Sequence, residues 1–159
     1  MTKSFKTFLK HAGKDYYNQT VNPPVVRAST LIFKSLEDIR KMQNKATKNP
    51  VGGHFSYGRE GSSTIFALQK ILRTLEESYQ VFLTPTGFGS VFLAIFSVVR
   101  PGDEILLSDP IYSPTRLLTE NYLKEFNIKA NFYNPNNIND LKKKISKKTK
   151  LIFVENPGS

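Results

Sequence analysis

Hydrophobic residues recur at helix and strand spacing from Ser62 onward. The segment SSTIFALQKILRTLEE opens with helix-capping residues, and Ile65, Leu68, Leu72 and Leu75 recur at helical spacing, which predicts an amphipathic helix. The next segment, QVFLT, predicts a short apolar strand. SVFLAIFSVV is apolar on nearly every side and therefore predicts a buried helix packed on a sheet, which RPGD then ends.

The alternation of helix and strand patterns continues along the chain. EILLSD, IKANFY and KLIFVE predict strands, and SPTRLLTENYLKEF and NINDLKKKIS predict the helices between them. Strands separated by helices form βαβ units with right-handed crossovers. We therefore predict an α/β fold whose mostly parallel sheet has helices on both faces.

The first 55 or so residues show no regular periodicity. VNPPVVRASTLIF contains a proline pair that favours extended backbone, and Ser35 is placed to cap a short helix over LEDIRKMQNKA. We interpret residues 1–60 as an extended arm and residues 61–159 as the first part of the α/β domain.

Composition and charge exclude several classes of protein. The 159 residues are 39% hydrophobic and contain no cysteine, which excludes global disorder, a disulfide framework and thiolate metal sites. His11 and His54 are too few for a histidine metal site, so no metal is predicted. Neither a secretory signal nor a membrane span is evident, and we predict a cytoplasmic protein.

The net charge of +10 raises the question of a polyanion partner such as nucleic acid. The lysines are scattered along the chain, and their densest run, Lys142 to Lys150, coincides with a predicted helix. This distribution favours a solvated lysine-rich surface over nucleic-acid binding, and an anionic small ligand suits it equally well.

Ligands of open α/β sheets bind beyond the carboxyl ends of the strands, where Gly87 and Gly89 flank Phe88 at a predicted helix start. Free backbone N–H groups at a helix N-terminus bind anions, and the Ser90 hydroxyl is an additional donor. An ordinary strand-to-helix turn explains the same spacing. A nucleotide is not indicated, because neither the phosphate-loop lysine nor the dinucleotide fingerprint is present.

Two further segments carry candidate ligand-binding side chains. Tyr112 follows a predicted strand, where its ring is placed either to stack on a planar cofactor or to pack beneath the loop. Tyr57 and Arg59 precede the first regular helix and offer donors suited to phosphate or carboxylate, although an ordinary surface arginine is the alternative.

These motifs together resemble the N-terminal part of the Cys/Met-metabolism enzymes that depend on pyridoxal 5′-phosphate. The resemblance runs from about Val21 to Ser159 through VNPPVVRASTLIF, YGREGSSTIFALQ, TPTGFGSV, RPGDEILLSDPIYSPT and KLIFVENPGS, in the family's order. YGREG and ENPGS indicate the cystathionine β-lyase branch. The resemblance implies the large domain of the aspartate-aminotransferase fold, fold type I, incomplete at its C-terminus.

The family's functional residues transfer to matching positions. The resemblance implies that the backbone amides of Gly87 and Phe88 hold the cofactor phosphate, and that Tyr112 stacks on the pyridine ring and assists proton transfer. It also implies that Tyr57 and Arg59 reach the phosphate bound by a neighbouring subunit, within a dimer of dimers whose interface the arm contacts.

Ser159 stands where many relatives have an asparagine beside the cofactor and the substrate. The resemblance implies a lyase that converts cystathionine to homocysteine, pyruvate and ammonia. A γ-synthase or γ-lyase sibling and a non-catalytic module that binds an anion or nucleic acid are the alternatives. No lysine here matches the family's Schiff-base lysine, so we expect the chain to be an N-terminal fragment with no turnover by itself.

Overall fold

The structure is a computed structural model, and it describes residues 4–12, 14 and 19–158. The described helices and strands alternate in the second half of the chain, as the sequence predicts. In chain order they are α1 (Phe5–His11), α2 (Leu36–Lys48), α3 (Ser63–Leu75), α4 (Gly87–Val98), β1 (Glu104–Ser108), α5 (Ser113–Leu117), a π-helical turn (Leu118–Tyr122), α6 (Leu123–Glu125), β2 (Lys129–Tyr133), α7 (Ile138–Lys144) and β3 (Thr149–Phe153).

The chain divides into two compact units, residues 1–83 and residues 84–159. In the first unit, α2 and α3 begin where the sequence predicts, because Ser35 and Ser62 cap them: each serine oxygen accepts a hydrogen bond from a backbone N–H three residues later. The short helix α1 was not predicted, and Ser4 caps it in the same way.

The second unit contains a parallel sheet with the strand order β2-β1-β3. Ile105 of the central strand pairs with Ala130 on one side and with Leu151 on the other. The chain moves from β1 to β2 in one direction and from β2 past β1 to β3 in the other. Right-handed crossovers therefore place α5–α6 and α7 on opposite faces, which agrees with the predicted α/β fold.

The core of the second unit lies between the sheet and the helices α4 to α6. Ile105 and Leu107 project from β1 into this core, and Leu106, also fully buried, projects from the opposite face. The buried residues of this core are Ile95, Val99, Ile105, Leu107, Ile111, Leu118, Leu123 and Ile128. The lysines of residues 142–150 are exposed, as expected of a solvated surface.

Two predicted features are wrong. QVFLT forms no strand: the Gln69 side-chain amide donates to the Val81 carbonyl at 2.9 Å, where a neighbouring strand would bond, and Phe82 is 69% exposed. Helix α4 is not buried all round, because Ile95 is its one fully buried residue while Phe92 and Leu93 are exposed. Helix α4 carries apolar side chains on more of its surface than the described sheet covers.

Among the described residues, no helix is both long enough and apolar enough to cross a bilayer.

Candidate functional site

Helix α4 brings its N-terminus to the carboxyl edge of the sheet. It leads through a turn of five residues into β1, so helix and strand run in opposite directions. Twelve helical residues span about 18 Å and five strand residues about 16 Å, so the start of α4 lies level with the end of β1. Gly87 and Phe88 therefore lie at the edge where β1 delivers Tyr112.

The first turn of α4 leaves two backbone donors open. Thr86 caps the helix, and its hydroxyl oxygen accepts from the Gly89 N–H at 2.9 Å. Within the described part of the chain, the N–H groups of Gly87 and Phe88 have no acceptor. Open space lies beside Gly87, because a Cβ built there would meet no atom within 4 Å. This turn has the donors and the room that a phosphate requires.

The Ser90 hydroxyl does not face this anion-binding turn as a donor. Its Oγ donates to the Gly87 carbonyl at 2.6 Å, within the helix itself. Serine hydroxyls in a helix commonly bond a preceding carbonyl. The Ser90 hydroxyl is therefore engaged inside the helix and is not the additional donor expected from the sequence; the open donors of this turn are the backbone N–H groups of Gly87 and Phe88.

Tyr112 lies at the start of α5, on the loop that leaves β1, with Pro114 in the first helical turn. Tyr112 is 47% exposed, so its side chain is not packed beneath the loop. Its N–H donates to Glu155 Oε2 at 2.8 Å, which joins the loop after β1 to the segment after β3. A half-exposed aromatic ring thus stands at the same sheet edge as the open amides.

Arg116 holds the other end of the loop after β1. Its guanidinium donates to the Asp109 carbonyl and carboxylate at 2.6 and 2.9 Å, and it stacks 4.0 Å from the centre of the Phe132 ring. Hydrogen bonding to Asp109 raises the pKa of Arg116 above its ordinary value. Arg116 is not among the residues predicted from the sequence, where the only signal for it is an aspartate seven residues earlier.

Tyr57 and Arg59 lie together in the first unit. The Arg59 guanidinium stacks 4.7 Å from the centre of the Tyr57 ring, and the Tyr57 hydroxyl is 3.5 Å from Ser29 Oγ. Gly58 between them is required, because any Cβ there would overlap the Ala28 carbonyl. The exposed side of this pair is consistent with a ligand or partner that approaches from outside.

The Glu60 carboxylate closes the same turn. Its Oε2 accepts from the Ser56 and Tyr57 N–H groups at 3.0 and 3.2 Å and from the Ser56 hydroxyl. Consequently, no described carboxylate forms an ion pair with Arg59. Ser159, the remaining predicted site residue, lies outside the described residues.

Comparison with known families identifies the family of this chain. The sequence profile of the Cys/Met metabolism PLP-dependent enzymes matches residues 6–159. The chain belongs to this family. Membership assigns pyridoxal 5′-phosphate as the cofactor. The fold predicted from the motifs is confirmed by similar solved structures of this family.

Individual relatives agree with the family. A cystathionine beta-lyase from Haemophilus influenzae is 36% identical over 155 residues, covering 96% of this chain and 38% of the relative. The cystathionine beta-lyase MetC of Escherichia coli is 32% identical over 159 residues, covering 99% of this chain and 39% of the relative. An L-methionine gamma-lyase from Fusobacterium nucleatum is 27% identical over 151 residues, covering 94% of this chain and 37% of the relative. The chain thus spans about two fifths of their length.

A solved structure gives the same assignment. An O-acetylhomoserine (thiol)-lyase from Campylobacter jejuni, solved with N′-pyridoxyl-lysine-5′-monophosphate, superposes with a TM-score of 0.73 at 25% identity. The match covers 89% of this chain and 34% of that one. The described residues fit this cofactor: two open amides and free space suit its phosphate, and a half-exposed tyrosine ring suits its planar pyridine.

Proposed function

We propose that this chain is the N-terminal, cofactor-binding part of a carbon–sulfur lyase of the cystathionine β-lyase type. The observation that carries the proposal is the open anion-binding turn at Gly87 and Phe88 on the same sheet edge as the half-exposed ring of Tyr112. The similarity to cystathionine beta-lyases supports the substrate class.

In this proposal each group of the site has a defined role. The amides of Gly87 and Phe88 bind the cofactor phosphate, and the positive end of the α4 dipole favours its charge. The Tyr112 ring lies against the pyridine and its Oη moves a proton at the reacting carbon. Once held there, pyridoxal phosphate would supply an electron sink for the electron pair that is left when the α-proton is removed, and that pair would then expel the β-thiolate.

We further propose that Tyr57 and Arg59 complete the phosphate site of a neighbouring subunit. The planar guanidinium fork matches phosphate oxygens, and Tyr57 adds a phenolic donor. The Arg59 guanidinium is available because Glu60 is already engaged by backbone donors, and the Tyr57 hydroxyl has only one long contact, 3.5 Å to Ser29 Oγ. An active site shared between subunits makes the lyase an oligomer.

A γ-lyase or γ-synthase is the second candidate, since an L-methionine gamma-lyase is also a relative. The products of cystathionine separate the two activities. Cleavage at the β-carbon with one water yields homocysteine, pyruvate and ammonia, whereas cleavage at the γ-carbon yields cysteine, 2-oxobutyrate and ammonia.

We expect the protein expressed from its native reading frame to release pyruvate from cystathionine when pyridoxal phosphate is supplied. Coupled lactate-dehydrogenase kinetics and mass spectrometry of the keto acid measure this. The 159-residue chain by itself is expected to give no product, because none of its lysines matches the family's cofactor-binding lysine. Predominant 2-oxobutyrate would contradict the β-lyase proposal, and turnover by the 159-residue chain would contradict its predicted inactivity.

A further inference from the structure

Two hydrogen bonds and a close backbone contact connect the segment after β3 to the loop after β1. The Tyr112 N–H donates to Glu155 Oε2 at 2.8 Å, and the Glu155 N–H donates to the Ser108 hydroxyl at 3.4 Å. Gly158 lies so close to Pro110 that a Cβ would come within 2.7 Å of its carbonyl oxygen. Ser108 is fully buried at the end of β1, so this connection is anchored in the core.

This connection holds the backbone of Tyr112. Tyr112 is the residue immediately before α5, with φ −47° and ψ 123°, and its N–H takes no part in the helical hydrogen bonds of α5. No side-chain hydrogen bond caps α5. Because Tyr112 is half exposed, core packing alone does not fix its side chain, and the backbone at Tyr112 sets the direction of the Cα–Cβ bond from which the ring extends.

We propose that Glu155 is a positioning residue that holds the backbone of Tyr112 so that its ring faces the cofactor. The inference rests on the proposed function for the role of Tyr112, and on the observed contact for the role of Glu155. A carboxylate suits this task, because a charge-assisted hydrogen bond is shorter and stronger than a neutral one. The same design recurs at Tyr57, whose N–H donates to Glu60.

The contact is tested first in the 159-residue chain without any cofactor. Hydrogen exchange of the Tyr112 amide is measured by ¹⁵N NMR in the unmodified chain, in Glu155→Ala and in Glu155→Gln. Glu155→Ala is expected to speed exchange about tenfold or more, and Glu155→Gln by less, because its carbonyl oxygen still accepts. Glu125→Ala, which removes an exposed carboxylate from α6, is the matched control and is expected to change nothing.

The positioning role is tested next by titrating the same chains with pyridoxal phosphate. Glu155→Ala is expected to weaken binding several-fold, with Glu155→Gln restoring most of it. An unchanged Tyr112 exchange rate in Glu155→Ala overturns the inference. Faster exchange with unchanged pyridoxal-phosphate affinity overturns it as well, since Glu155 then acts on the loop alone.

The two proposals fail in different ways. If the unmodified chain does not bind pyridoxal phosphate, the proposed function of this edge fails and the cofactor-facing role of Glu155 fails with it. The exchange measurement still decides by itself whether Glu155 holds Tyr112, because it requires no cofactor.

Discussion

Replacing Ile95 with alanine is expected to lower the free energy of unfolding of the second unit by about 2–5 kcal/mol. Ile95 is 0% exposed and belongs to the cluster that joins α4 to the sheet through Ile105 and Leu107. Truncation removes buried methyl groups and leaves a cavity that the surrounding side chains fill only in part. Urea denaturation followed by circular dichroism measures the change.

Leu93 provides the matched control on the same helix. It is 47% exposed, so Leu93→Ala removes a similar number of carbon atoms from a surface that water already reaches. We expect this variant to lose less than about 1 kcal/mol. If the two variants lose the same free energy of unfolding, the claim that α4 packs on the sheet through Ile95 is contradicted.

Replacing Arg59 with alanine is expected to weaken retention of pyridoxal phosphate by about 10- to 100-fold in the protein expressed from its native reading frame. Arg59 is free of carboxylate partners within the described structure, so its charge remains available to a phosphate. Tyr57→Phe removes a neutral donor and keeps the ring that supports Arg59, so its effect is expected to be smaller. Equilibrium dialysis with absorbance detection of the cofactor gives both values.

Arg40→Ala controls for the loss of one positive charge, because Arg40 is an exposed arginine on α2. Its cofactor affinity is expected to equal that of the unmodified protein. If Arg59→Ala and Arg40→Ala retain the cofactor equally well, Arg59 has no phosphate-binding role and its position beside Tyr57 is structural.

Local chemistry in the sequence accounts for most of the fold. Ser35 and Ser62 are placed ahead of helical patterns and cap the helices that follow. The three apolar runs that form strands alternate with helical patterns, which determines a parallel sheet. These features depend on near neighbours in the chain, and that is why periodicity and capping identify them.

The failures came from contacts between distant parts of the chain. Whether QVFLT becomes a strand depends on a neighbour, and the Gln69 side chain occupies the Val81 carbonyl instead. Whether an apolar helix is buried depends on how much surface covers it, which composition does not reveal. Helix α4 is therefore apolar on sides that the described chain leaves exposed.

The site was predictable in part for the same reason. Gly87, Phe88 and Tyr112 follow from the rule that ligands bind beyond the carboxyl ends of parallel strands, together with the family motifs. The tie between Tyr112 and Glu155 spans 43 residues, and no spacing rule indicates it. The presence of polar residues in the loops after two adjacent strands is the sequence feature that indicates hydrogen bonds of this kind.

A ¹⁵N NMR titration of the 159-residue chain with pyridoxal 5′-phosphate tests the phosphate site at the start of α4 most directly, with pyridoxal as the control that lacks the phosphate. The amides of Gly87 and Phe88 are expected to shift downfield and to saturate with the phosphorylated form, and to respond weakly to pyridoxal. The same weak response to both compounds, or shifts confined to lysine-rich residues 142–150, would contradict a phosphate site at the start of α4.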